Sequence, residues 1–411
     1  MRENGTSVLI SDCRACGSTN LEGILDLGVQ PLSGVFPKKG DPDPLSGPLS
    51  LIICRKCALV QLAHNYPLSL MYGENYGYRS GLNESMASHL QLKAKKLSNL
   101  IGIKPGEIVL DIGSNDGTFL NSFNSNVVRV GFDPTIIKFG EFYDDSIIKK
   151  PEFFSAKSYL ASFTKAKLIT SISMFYDLQK PLDFVQDIKK CLAKDGFWHF
   201  EQSYLYSMLQ STSYDTICHE HLEYYSMESV INLLDLAGLK IIDVELNNVN
   251  GGSFSLTATH HENPVNPSPL VSWMKNYESY LETISPLSAF DNKVKNHKKQ
   301  LTNLLGSLSH EGFSIWGLGA STKGNVLLNY CEIDSSLVTK IADVNPYKSG
   351  RSTPGSRIDI VPEDQFLSER PDYALVLPWH FRSHLTEKYA NYLGSGGKLI
   401  YPFPSIEIVS D

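Results

Sequence analysis

The sequence predicts an α/β protein in three parts: a small cysteine-bearing N-terminal domain followed by two α/β domains on mainly parallel sheets. Three observations carry this reading. From about Glu84 onward, strand-like and helix-like stretches alternate ("VVRVGFDPT", "LITSISMFYD", "DFVQDIKKCLAKDGFWHFEQ"), the pattern of βαβ units. A strand running into a glycine-rich turn and a helix start occurs twice, in "GEIVLDIGSNDGTFLNSF" and in "GFSIWGLGASTKGNVLLNYC". The segment before them is instead rich in Gly, Pro and polar residues, and it holds two Cys-x-x-Cys pairs. The expected boundaries are residues 1–75, 76–300 and 301–411.

At 411 residues the chain is long for one core, which agrees with several domains. Hydrophobic residues make up 42% and charged residues 20%, the balance of a folding sequence. Net charge is −7, and no basic tract is present, which argues against nucleic acid as a partner. No apolar run approaches the roughly 18 to 20 residues that span a bilayer. The start, "MRENGTSVLISDC", lacks a basic region followed by an apolar stretch, so the expectation is a cytoplasmic protein with reduced thiols.

Along the chain, "LSLIICRKCALVQLAH" reads as strand, turn and strand, and "SMASHLQLKAKKLSNLIG" as a helix. The polar stretch "HHENPVNPSP" marks a break, and a helical segment from about Val271 to His310 precedes the last α/β part. Cys13, Cys16, Cys54 and Cys57 form the two Cys-x-x-Cys pairs. Four thiolates on two tight turns close a tetrahedral Zn²⁺ site and leave no open position, so the metal would be structural. Disulfides are disfavoured by the lack of an export signal.

In "VLDIGSNDGTFL", Asp111 ends an apolar strand and Gly113 and Gly117 lie in the turn that follows. Glycine admits a ligand close to the backbone, and a helix start offers free N–H groups. The D-x-G-x-x-x-G spacing differs from the dinucleotide fingerprint and resembles motif I of class I S-adenosylmethionine (SAM)-dependent methyltransferases. Asp133 ends the next strand, where a carboxylate suits two ribose hydroxyls. In "IWGLGASTKGN", Gly317, Gly319 and Gly324 stand with Ser321, Thr322 and Lys323, a set that suits a diphosphate. Lys323 precedes the last glycine, so this is not a P-loop. Asp343, in "TKIADVN", would meet a ribose.

The stretch "TICHEHLEYYS" places His219, Glu220, His221 and Glu223 within five positions. It could be a metal site, although helical H-E-x-x-H spacing is absent; a solvated turn; or a proton-transfer site in which an imidazole acts beside a carboxylate.

Taken together, "CRACGS", "CRKCALVQL", "NYGYRSGLNESM", "LDIGSNDGTFL", "FEQSYL", "HEHLEYYS", "NGGSF" and "GASTKGN" resemble the deoxysugar C-methyltransferases, which methylate C-3 of nucleotide-linked 4-keto-deoxysugars. The resemblance covers nearly the whole chain. It implies a zinc-binding N-terminal domain, a Rossmann-like class I methyltransferase domain and a C-terminal Rossmann-like domain that holds the nucleotide-sugar. It implies His221 as base, with Glu220, His219 and a tyrosine of "YGYRS", Tyr76 or Tyr78, in support. SAM would be held by Asp111, Gly113, Ser114, Asn115, Gly117, Asp133, Pro134, Ser173 and Met174. The ketosugar would meet Tyr176, Glu201, Asn250, Gly251, Gly319, Ser321, Thr322, Lys323, Asp343 and Arg351. Where members carry tyrosine before H-E-H this chain has Cys218, and Phe175–Tyr176 stand where others place a histidine. A sugar O- or N-methyltransferase is the main rival; a non-catalytic nucleotide-sugar binder is a weaker one. The expected assembly is a monomer or weak homo-oligomer.

Overall fold

The computed structural model describes residues 7–67 and 78–411. Its first part is antiparallel. Strands β1 (Val8–Leu9) and β5 (His64–Asn65) pair at one edge, while β2 (Leu21–Pro31), β3 (Ser46–Cys54) and β4 (Val60–Leu62) form a meander. A fourth strand, β11 (Glu223–Tyr224), joins that meander from the middle of the chain, with Glu223 opposite Gln61 and Tyr224 opposite Val60. The segment directly after H-E-H is thereby part of the N-terminal sheet.

The central sheet contains β6 (Ile108–Ile112), β7 (Val128–Phe132), β8 (Ile148–Lys150), β9 (Ala166–Ile172), β10 (Leu192–Ser203), β12 (Leu239–Asn247) and β13 (Ser253–His260). Their order is β8-β7-β6-β9-β10-β13-β12, and β13 alone runs antiparallel to its neighbours. β6 reads "IVLDI" and is buried along its length, as a central parallel strand must be. The helix Glu84–Ile101 is capped by Asn83 and stopped by Gly102 in the left-handed region; Ser226 and Ser229 form a capping box on the helix Met227–Ala237.

The C-terminal sheet holds β14 (Ile315–Leu318), β15 (Lys340–Asp343), β16 (Asp359–Pro362), β17 (Tyr373–Val376), β18 (Lys398–Tyr401) and β19 (Glu407–Val409), in the order β16-β15-β14-β17-β18-β19. All pairs are parallel except β18 with β19. In both parallel sheets the strand order reverses beside the glycine turn, after β6 and after β14. That is where open α/β sheets bind ligands.

Two expectations change. No α-helix follows the first glycine turn: Asn115 and Gly117 take positive φ, and the chain continues as turns and a single 3₁₀ turn, Leu120–Ser122. The helical stretch from Val271 to His310 is two helices, Pro269–Ile284 and Phe290–His310, parted at Pro286, whose ring cannot continue a helix.

The three parts share core. One apolar cluster joins Leu49, Leu62 and Tyr66 of the N-terminal sheet to Tyr214, Ile217 and Cys218 and to Val326 and Trp379 of the C-terminal domain. Among the described residues, no helix is long and apolar enough to cross a membrane.

Candidate active site

The four cysteines converge. Their sulfurs all lie within 4.8 Å of one another, with Cys13–Cys57 and Cys16–Cys54 at 3.6 Å. A Zn–S bond of about 2.3 Å places tetrahedral sulfurs roughly 3.8 Å apart, so the donor set fits Zn²⁺. Each pair sits on a tight turn closed by an amide behind it: Gly17 N–H donates to the Cys13 carbonyl and Ala58 N–H to the Cys54 carbonyl, both at 2.9 Å. Arg14, inside the first pair, is buried and donates to Gln61 Oε1, Leu62 O, His64 O and Asn65 Oδ1, and lies 3.9 Å from Glu223 Oε1. The metal turn is thus tied to the strand carrying Glu223, two residues beyond His221.

The first glycine turn is an acidic cradle. Asp111 is buried and accepts from Thr170 Oγ1 at 2.6 Å. Burial, with Asp133 adding to it against the Thr170 hydrogen bond, pushes its pKa up to about 7. Gly113 has φ +74°, and a Cβ there would lie 2.9 Å from Met174 Cγ, so backbone and Met174 leave room for no side chain. Ser114 Oγ pairs with Tyr143 OH at 2.8 Å. Asp133 Oδ2 accepts Asn115 N–H at 2.9 Å, and its Oδ1 accepts the amide and hydroxyl of Thr135, just past Pro134, both at 2.7 Å. The segment from Tyr78 to Gly81 roofs this turn: Asn115 Nδ2 donates to the Tyr78 carbonyl, Ser80 N–H to Asn115 Oδ1 and Gly81 N–H to Asp116 Oδ2. A cationic, amino acid-bearing ligand such as SAM matches the close backbone and surrounding carboxylates. Tyr76 lies outside the described residues.

One short loop links this cradle to H-E-H. Ser173, with φ +55°, donates its N–H to the Glu201 carbonyl; Met174 packs on Gly113; and the Tyr176 carbonyl accepts Leu222 N–H at 2.7 Å. The Glu201 carboxylate is taken up internally by His89 at 2.6 Å, Lys93 at 2.8 Å, Ser255 and Asn247. Burial alone would raise its pKa, but His89 and Lys93 hold it well below the usual carboxylate range. Glu201 therefore braces the cofactor loop from inside.

The histidines of H-E-H differ. His219 is fully buried between N-terminal strands: its Nε2 is 3.2 Å from the Gly47 carbonyl, its Nδ1 3.5 Å from Ser33 Oγ, and its ring stands edge-on to Tyr66. His221 is half-buried. Its Nδ1 lies 3.0 Å from the Thr216 carbonyl, an acceptor only, so Nδ1 carries the proton and Nε2 presents a lone pair. Tyr176 stands edge-on to its ring at 4.4 Å. Burial, then the charge of Lys323, lowers the His221 pKa to about 4 against the Thr216 hydrogen bond, so the ring is neutral near pH 7. A Cβ on Gly34 would collide with Glu220 Oε1 and lie 3.8 Å from Thr322 Oγ1. This is where all three parts of the chain meet.

The second glycine turn comes to the same place. Ser321 Oγ caps the helix Thr322–Tyr330 by accepting Gly324 N–H, and Gly319, with φ +79°, packs on Pro378. Asp343 Oδ2 accepts Ala320 N–H at 2.7 Å. Lys323 donates to the Asn250 carbonyl at 2.8 Å, in the turn where Gly251 packs against Trp379. Arg351 donates to the Tyr347 carbonyl and to the Phe36 carbonyl of the N-terminal domain.

Sequence reasoning missed Lys348, which bridges the Ala320 carbonyl at 2.5 Å and Asp343 at 3.4 Å, and Asp215, Trp379 and His380. Trp379 and His380 lie just past the C-terminal end of β17. The position directly after a parallel strand beside the switch point was the available signal.

Three family models match in order along the chain: a zinc binding domain over residues 13–72, a methyltransferase domain over 84–244 and a C-methyltransferase C-terminal domain over 248–404. The C-methyltransferase NovU of Streptomyces niveus is 28% identical, over 98% of this chain and 97% of that one. Among solved structures, the Haloferax volcanii methyltransferase bound to its Trm112 activator overlaps 44% of this chain and 94% of that chain at 14% identity and a TM-score of 0.37. The N-methyltransferase NodS of Bradyrhizobium japonicum overlaps 44% of this chain and 99% of that chain at 12% identity and a TM-score of 0.33. The cofactors are SAM and a structural Zn²⁺, and the chain is an S-adenosylmethionine-dependent methyltransferase of the class I fold that resembles the C-methyltransferases along nearly its whole length.

Proposed function

We propose that the protein methylates C-3 of a nucleotide-linked 4-keto-deoxysugar through an enolate generated by His221. The reading assigns residues 1–75 to zinc binding, 76–300 to SAM binding and methyl transfer, and 301–411 to the nucleotide-sugar. The supporting observation is the His221 ring: Nδ1–H is spent on the Thr216 carbonyl, leaving neutral Nε2 close to where three parts of the chain meet.

Carbon has no lone pair, and a neighbouring ketone supplies one by acidifying the C-3 proton. His221 Nε2 takes that proton; the electron pair passes into C-3 and the keto oxygen. When bound, SAM supplies an electrophilic methyl group on a sulfonium. The chain's task is then positioning. Asp111, Gly113, Ser114, Asn115, Gly117, Asp133 and Pro134, with Ser173 and Met174, would hold the cofactor. Tyr176 and the Asn250–Gly251 turn would hold the sugar over His221, with Glu201 bracing the loop behind them. Gly319, Ser321, Thr322, Asp343 and Arg351 would hold the nucleotide end, and Lys323, bound to the Asn250 carbonyl, would reach from the same turn toward the sugar. Glu220, which borders Gly34 as Thr322 does, and Tyr78, whose carbonyl accepts from Asn115, are candidates to steady substrate oxygen, and Tyr76 is a candidate for the same task. His219 sets the backbone of the H-E-H turn from the N-terminal core.

His221→Asn keeps a hydrogen-bonding amide while removing the base. It should lower kcat by about 10²-fold or more while the calorimetric SAM affinity holds. Near-wild-type turnover in that variant would discard the assignment and favour O- or N-methylation, which needs no enolate.

A further inference from the structure

We propose that Asp215, Lys323 and His380 form a subsite that recognises a hydroxyl or amino group on the sugar ring, on or beside the carbon that His221 deprotonates. The inference rests on the ketosugar reading above and adds a specificity determinant to it.

Three polar groups here have unused hydrogen-bonding capacity. Asp215 is 1% exposed; its Oδ2 accepts the Trp379 indole N–H at 2.8 Å, and its Oδ1 has no hydrogen-bond partner. Lys323 donates to the Asn250 carbonyl at 2.8 Å, and an ammonium has three donors. His380 Nδ1 is buried and also lacks a partner. Asp215 and Lys323 are close enough for each to shift the other's titration, yet among the described residues no ion pair within 4.0 Å joins them. A buried carboxylate oxygen left without a partner is costly unless a polar group reaches it.

These groups lie next to the reacting centre. Asp215 directly precedes Thr216, whose carbonyl anchors His221, and Lys323 directly follows Thr322, which borders Gly34 as Glu220 does. Trp379 packs on Gly251, whose neighbour Asn250 holds Lys323. A ring hydroxyl would donate to Asp215 Oδ1 and accept from Lys323 Nζ at once; an amine would donate to Asp215. A ring carbon lacking either group would strand both charges.

The test uses thymidine- and uridine-diphosphate-linked 4-keto-6-deoxyglucose, each with matched analogues lacking the hydroxyl at C-2, at C-3 or at both. Wild type should prefer the complete sugar over at least one analogue by about 10²-fold in kcat/KM, because the missing group leaves buried partners unpaired. Asp215→Ala and Lys323→Met should each bring that ratio within about threefold, mainly by losing the complete sugar, while SAM affinity is unchanged. Asp215→Asn keeps an acceptor for Trp379, guards against a folding defect and should retain an intermediate ratio. An unchanged ratio in variants that bind SAM normally overturns the subsite alone. Failure of the wild type to methylate any of these ketosugars overturns the subsite and the ketosugar reading together.

Discussion

The two glycine turns are built alike and charged oppositely. In each, a strand-end aspartate on the neighbouring strand accepts an amide of the turn: Asn115 N–H to Asp133 Oδ2 at 2.9 Å, and Ala320 N–H to Asp343 Oδ2 at 2.7 Å. In each, the second oxygen takes the amide two residues on, from Thr135 and Asn345. The resemblance ends there. The first turn is ringed by Asp111, Asp116 and Asp133, runs into no α-helix, and is roofed by the chain from Tyr78 to Gly81. The second opens a helix capped by Ser321, with Lys323 in its first turn and Lys348 beside it. On the function proposed above, one scaffold would offer carboxylates to cationic SAM at one turn and ammonium groups to an anionic diphosphate at the other, so that ligand choice would lie in what surrounds the turn rather than in the turn itself.

The sharpest way to break this comparison is to fill each turn. Gly113→Val meets Met174 and a positive φ; it should cost at least about 10²-fold in SAM affinity and leave nucleotide-sugar affinity within a few-fold. Gly319→Val, which meets Pro378, should do the reverse. Calorimetry with each ligand separately reads both, and a variant that loses both ligands denies the division of labour.

A smaller effect comes from charge. Asp133→Asn should weaken SAM by roughly 10-fold, the scale of one hydrogen bond to a charged group. Lys348→Met should raise the KM for the nucleotide-sugar by a similar factor and flatten its dependence on ionic strength, with SAM affinity unmoved. A SAM defect in the Lys348 variant would mean that the turns are not separately charged.

The smallest effect is on pH. Burial lifts the Asp111 pKa to about 7, above its unfolded value, so the folded protein binds the extra proton and loses stability as pH rises through about 7. A cationic ligand favours the ionised form, so SAM affinity should rise a few-fold from pH 6 to pH 8, and Asp111→Asn should abolish that slope. His221 is a different case: lowered to about 4, it loses its base form only below about pH 5, so the acid limb of kcat/KM should lie there rather than near pH 6.5. A limb near pH 6.5 would mean that Lys323 and burial do not act on the ring as the geometry requires.

What the sequence made legible was local. The Cys-x-x-Cys turns, the strand–turn openings and the strand-end Asp133 and Asp343 each sit within a few residues of a recognisable spacing. The structure adds contacts that no spacing encodes. Thr216 holds His221, but which of several nearby acceptors would do so depends on how the 214–222 turn folds against the N-terminal sheet. Arg14 reaches Glu223 across more than half the chain's first domain pair only because β11 pairs with β4. Asp215 meets Trp379 because the second and third parts share one core. The helix expected after Gly117 fails because Asn115 and Gly117 both take positive φ, a choice the D-x-G-x-x-x-G spacing does not reveal.

The most direct measurement of the proposed chemistry is proton exchange at C-3 in deuterated water with S-adenosylhomocysteine in place of SAM, followed by NMR of the recovered ketosugar. The wild type should wash deuterium into C-3, and His221→Asn should slow that exchange by about 10²-fold or more. Methylation by the wild type with no exchange at C-3, or equal exchange in the His221 variant, would contradict the assignment of His221 as the base.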